Sequence, residues 1–140
     1  MTTVLQQYLD GTGTDTTIDE FMTRSAWKVS DEEFAALKPL LQKVMLKSAS
    51  ENKPLDFFVA TRDAGLFAFV LSLAKHVDVV EWMLAPSPGP DRLEAIVELM
   101  YDHGLKLPEK IVRKHFSDDA LDECGWGNRA EELRCGFIAD

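Results

Sequence analysis

Cysteine is scarce in this chain of 140 residues, which holds two, Cys124 and Cys135. Small secreted domains held by disulfides are cysteine-dense, so the expectation is a cytoplasmic protein with two free thiols. Long apolar runs are missing as well. The longest, Gly65 to Ala74, is interrupted by Ser72 and closed by Lys75, well short of the ~18–20 residues that span a bilayer. It reads as a buried helix, and no membrane association is expected. Met1 to Asp10 carries no basic stretch ahead of an apolar one, so it is not a secretory leader.

Positive charge is in short supply, with 15 basic residues against 24 acidic and a net charge of −9. Such a balance repels phosphate backbones and anionic lipid and disfavours direct nucleic-acid binding. Recognised catalytic spacings are absent too: there is no phosphate-cradling glycine loop, HExxH, paired CxxC or GxSxG. Gly11-Thr12-Gly13 lacks both the lysine and the preceding strand of a P-loop. No cofactor is expected. Alternation of apolar and polar residues over four or more positions, bounded by turns, is nowhere convincing either, so strands are not expected.

Helical patterning is abundant. Thr17-Ile18-Asp19-Glu20 and Ser30-Asp31-Glu32-Glu33 both read as capping boxes. The first opens a helix with Ile18, Phe21 and Met22 inward, ending near Trp27. The second opens a helix with Phe34, Leu37, Leu40, Leu41, Val44 and Met45 on one face, and Pro39 predicts a kink in it. Pro54 suits a first helical position, Asp78 restarts the chain, and Pro86-Ser87-Pro88-Gly89-Pro90 is a loop between helices. Asp91 to His103, with Leu93, Ile96, Val97 and Met100 inward and Gly104 as a stop, is the clearest helix. Pro108 and Ser117 open two more, and Arg129 to Cys135 is the last. The expectation is an all-α, compact array of about six to nine short helices packed as hairpins: residues 1–16 a loosely attached arm, residues 17–140 one domain of a size that buries a real core.

Gly65 to His76 and Leu93 to Gly104 resemble the second half of an ankyrin repeat, the latter with its leucine-rich run closing on His103-Gly104, and Pro54-Leu55-Asp56 is similar to part of that family's opening motif. The resemblance is confined to residues 54–116. It implies stacked helical hairpins, a degenerate ankyrin-like array, and protein binding rather than catalysis.

The acidic residues Asp118, Asp119, Asp122 and Glu123, with Trp126 between two glycines, form the candidate protein-binding surface. A tryptophan in a glycine turn either anchors an interface or folds back as a lid on the last helices. Trp82, in an apolar helix, is expected in the core. The expected function is a non-catalytic interaction module (an adaptor, inhibitor or immunity-type protein) whose acidic helical face meets a basic protein partner. The alternative is a small metal-binding protein or enzyme using the segment His115 to Asp122, whose imidazole and carboxylates at i, i+3, i+4 and i+7 suit a divalent ion if they share one helix. Against it, Ser117 caps a new helix and leaves His115 outside. Cys124 has no activating surroundings in sequence. Lys106, Lys110, Arg113 and Lys114 read as a solvated basic helix face.

Overall fold

The computed structural model describes residues 2–84 and 90–139. Among the described residues the chain forms α1 (Thr2–Asp10), α2 (Asp15–Glu20), α3 (Ala26–Lys28), α4 (Asp31–Glu51), α5 (Ala64–Ser72), α6 (Val79–Leu84), α7 (Pro90–His103), α8 (Glu109–His115), α9 (Asp118–Glu123) and α10 (Ala130–Phe137). A π-helical turn, Phe21–Ser25, joins α2 to α3, and 3-10 turns lie at Phe57–Arg62, Leu73–Lys75 and Gly127–Arg129. The fold is all-α, as the missing strand pattern predicts. An isolated parallel bridge pairs Leu107 with Ile138. Its Leu107 N–H donates to the Phe137 carbonyl and its carbonyl accepts from the Ala139 N–H, both at 2.8 Å, so the chain end is pinned beside the start of α8.

Within residues 1–16, the expected arm, residues 2–10 form α1. α1 lies along α4, with Leu5 fully buried. Lys47 of α4 donates to the Tyr8 and Leu9 carbonyls at 2.9 and 3.3 Å, a cation placed at the negative end of the helix. Val4, Leu5, Tyr8 and Leu9 share one stripe, and burying it ties this helix to the core.

Two of the expected helix starts shift. Thr14, not Thr17, caps α2, because the Thr17 N–H donates to Thr14 Oγ1 at 3.1 Å. Pro54 is not helical; the next element begins at Phe57, where the buried Asp56 carboxylate accepts the Phe58 N–H at 3.0 Å. Ser30 caps α4 as expected, accepting the Glu33 N–H at 3.1 Å. Helix α4 runs on through Pro39. Both Pro39 and Ala35, whose carbonyl loses its partner there, are exposed, so water can satisfy the orphaned acceptor. The stretch 86–89 of the expected proline-rich loop lies outside the described residues; Pro90 is the first residue of α7. Gly104, at φ +62°, ends α7, and the Leu105 N–H reaches back to the Met100 carbonyl at 3.0 Å.

The 3-10 turn Phe57–Arg62 is central, packing against α5, α6, α7 and the π-helical turn. Phe57, Val59 and Ala60 are fully buried, and Phe57 meets Trp82 edge-on with ring centroids 5.0 Å apart. At its end Arg62 donates to the Ala26 carbonyl at 2.7 Å and to Asp31 at 3.1 Å. That guanidinium fastens the N-terminal helices to α4.

Candidate functional site

The acidic run on α9 is exposed throughout but divides by partners. The Asp118 carboxylate, 80% exposed, meets Arg134 at 2.7 Å. Arg134 is buried, and it also donates to Glu131 at 2.8 Å and to the Phe116 carbonyl at 2.9 Å. Asp122 lies against Gly127 so closely that a Cβ on that glycine would collide with its carboxylate. Asp118 and Asp122 are thus each engaged by a residue beyond α9. Asp119 and Glu123, four residues apart on the same side of α9, are exposed and make no ion pair among the described residues.

A second pair joins them. Glu94 and Glu98 on α7 are also exposed and four residues apart. Helices α7 and α9 pack together, and Cys124, at the end of α9, is near one member of each pair, Glu94 and Glu123. Burial raises its thiol pKa, and the charges of Glu94 and Glu123 raise it further. A thiol held protonated this way is a poor nucleophile. Two carboxylate ladders, Glu94/Glu98 and Asp119/Glu123, thus run on neighbouring helices. Like charges at i, i+4 repel, and an approaching cationic surface relieves that repulsion. Glu94 and Glu98 escape a search for acidic runs; their i, i+4 spacing on the polar side of α7 is the signal that finds them.

Trp126 is placed by backbone chemistry. Gly125, at φ +86°, follows α9, its N–H donates to the Asp122 carbonyl at 3.0 Å, and the Trp126 N–H donates to the Leu121 carbonyl at 2.8 Å. This is the double bond pattern of a glycine-terminated helix, and it folds the indole back. The ring is half-buried and tilts against Tyr101 of α7, centroids 5.4 Å apart, while Tyr101 stays 50% exposed. Arg129 places its guanidinium 5.6 Å from the Trp126 ring centre and 6.0 Å from that of Tyr101. Beside them a groove of about 370 Å³ opens between α7 and α10, floored by Met100, Leu133 and Phe137, with Arg129 and Glu132 at its wall.

His115 and the carboxylates that follow it are not brought together. His115 Nε2 meets Asp78 Oδ2 at 2.8 Å, whereas Asp118 pairs with Arg134. Ser117 does cap α9, accepting the Ala120 N–H at 3.2 Å. Among the described residues no group of three or more His, Cys, Asp or Glu side chains is placed to hold a metal ion. Three of the basic residues in and just before α8 have internal partners: Lys106 the Gly136 carbonyl at 2.7 Å, Arg113 Glu109 at 2.8 Å, Lys114 Asp78 at 3.1 Å. A larger cleft, about 530 Å³, lies elsewhere, between α1, α2 and the segment 52–55 after α4, lined by Tyr8, Asp15, Asp19 and Lys53 among others.

Asp78 carries a prediction. It caps α6 through the Glu81 N–H at 3.1 Å and binds His115 and Lys114 of α8. Burial alone would raise its carboxyl, but the hydrogen bonds from His115, the Glu81 N–H and Lys114 outweigh this and lower it to about 2. The folded-state value lies below the unfolded one. The stabilisation is therefore present above pH ~4 and lost as pH falls toward 2, and it is worth about 2 kcal/mol at neutrality. Asp78→Asn should cost about that much at pH 7 in urea unfolding, and its stability should converge on the parent's between pH 4 and 2. A penalty that does not change with pH would show that the carboxylate charge is not what holds α6 to α8.

No protein-family model matches the chain, and neither a curated protein nor a solved structure matches it. The likeness of residues 54–116 to ankyrin repeats gains no support from these comparisons. What the fold defines is an all-α array of short helices around one core. Among the described residues, no helix is long and apolar enough to cross a membrane.

Proposed function

We propose that the chain is a non-catalytic protein–protein interaction module, an adaptor, inhibitor or immunity-type protein, that presents an acidic helical face to a basic protein partner. The observation that carries this reading is the pair of carboxylate ladders, Glu94/Glu98 on α7 and Asp119/Glu123 on α9, exposed and without ion pairs among the described residues. The aromatic pair Tyr101–Trp126 lies on the same two helices and supplies the rigid apolar contact that interface anchors need. Phosphate backbones are repelled by this face, so the partner is a protein and not a nucleic acid. Cys124 and Cys135 form no disulfide, which suits a reducing cytoplasm. The metal-binding or enzymatic alternative draws no support from His115 to Asp122, since Asp78, Arg134 and Gly127 each engage a different member of that segment.

The test uses the full chain and the quadruple variant Glu94→Gln, Glu98→Gln, Asp119→Asn, Glu123→Gln. A captured basic partner should associate with the parent at a rate that falls steeply as salt rises, since the Debye length shrinks to about 8 Å at physiological strength, while dissociation changes less. The quadruple variant should associate roughly ten times more slowly, by loss of steering, and with weaker salt dependence. Equal association rates for parent and variant would refute the proposal.

A further inference from the structure

We propose that the Tyr101–Trp126 pair is a receptor for an arginine side chain of the basic partner, and that Arg129 occupies that receptor when the partner is absent. The inference rests on the acidic-face reading and names the chemistry recognised at its end. Arg129 already shows what the site accepts: its guanidinium lies over both rings, 5.6 and 6.0 Å from their centres, and meets Glu132 at 3.6 Å.

That internal arginine is held at the surface, by a hydrogen bond to the Tyr101 side chain and by the charge of Glu132. Its side chain is 49% exposed, it comes from the 3-10 turn Gly127–Arg129 right beside Trp126, and its ion pair with Glu132 is a long one. A partner arginine can make the same two contacts with better geometry, stacking on the open face of Tyr101 while pairing both nitrogens with the Glu132 carboxylate. The approach is prepared electrostatically. Glu98 lies one turn before Tyr101 on α7 and Glu123 three residues before Trp126, so the carboxylate ladders lead a cation toward the rings. The groove of about 370 Å³ next to Arg129, floored by Met100, Leu133 and Phe137, gives the displaced side chain or the partner's alkyl stem an apolar bed. Lysine fits less well. Its ammonium is a compact, strongly hydrated point charge that neither stacks flat nor forms a two-pronged pair.

The experiment titrates the intact protein with two capped peptides, hexa-arginine and hexa-lysine, by calorimetry at low and physiological salt. The parent should bind hexa-arginine about two- to fivefold more tightly than hexa-lysine, the worth of one exposed cation–π contact. Arg129→Ala removes a positive charge and so should strengthen both peptides, but it should widen the arginine-to-lysine ratio by opening the rings. Tyr101→Ala, at an exposed position, should erase the ratio without altering the helical circular dichroism spectrum. If both peptides bind with one ratio in the parent, Arg129→Ala and Tyr101→Ala, the receptor is refuted while the acidic face stands. If neither peptide binds the parent, the acidic face fails and takes the receptor with it.

Discussion

Asp56→Ala should lower the unfolding free energy by about 3–5 kcal/mol, the cost of leaving a largely desolvated charge without its partner. Asp56 is the buried carboxylate of the core, its side chain 2% exposed, and it faces Arg92 of α7 in a two-pronged pair at 3.0 and 3.2 Å. Arg92 also donates to the Met83 carbonyl at 2.7 Å and lies 4.4 Å from the centre of the Phe58 ring. One ion pair thus ties together the end of α6, the start of α7 and the central 3-10 turn, on both sides of residues 85–89. Removing the carboxylate also strips the cap from the Phe58 N–H. Arg92→Met should cost a similar amount, since it leaves Asp56 buried and unpaired. The double variant should cost less than the sum of the two, by about 2 kcal/mol, because each single change already forfeits the same pair. Urea unfolding with unchanged slope measures all three. Losses below about 1 kcal/mol in both single variants would mean that water reaches the pair and that its apparent burial does not matter.

Local signals were legible in the sequence where a few neighbouring residues decide the outcome. Ser30 with Glu33, Asp78 ahead of α6, Ser117 ahead of α9 and Gly104 after α7 each act through bonds spanning three to five residues. Thr17 misled because Thr14, also a hydroxyl, stands three residues earlier and captures the Thr17 N–H itself. Contacts across the chain were not legible. Nothing near Asp56 points to Arg92, thirty-six positions on, and nothing near His115 points to Asp78. The candidate site suffered from the same limit. Four consecutive-looking acids on α9 are equivalent as letters and all are exposed, yet Arg134 pairs with Asp118 and Gly127 packs against Asp122, which leaves Asp119 and Glu123 without either engagement. Which acids of a six-residue helix are engaged is fixed by residues outside it. The helix itself has too few turns to show a stripe.

Phe116→Ala should be the second severe substitution, costing about 3–5 kcal/mol and lowering Tm by roughly 10–15 °C for a chain of this size. Phe116 is fully buried at the corner between α8 and α9, edge-on to Phe137 of α10 with centroids 5.6 Å apart. Its carbonyl accepts from Arg134, the same guanidinium that grips Asp118. Truncation therefore empties the space between α8 and α10 and loosens the anchor that orients α9. Phe116→Leu keeps most of the volume and should cost about 1–2 kcal/mol. The contrast with the proposed contact residues is the informative part. Asp119→Asn with Glu123→Gln removes two exposed like charges and should change stability by no more than about 0.5 kcal/mol, while slowing association with a basic partner. Phe116→Ala should do the reverse near its melting range: amide exchange across α9 should speed up, and partner binding should weaken in proportion to the unfolded fraction. If Phe116→Ala instead costs less than about 1.5 kcal/mol, α8 and α10 can close over the gap, and the orientation of the acidic face does not depend on this corner.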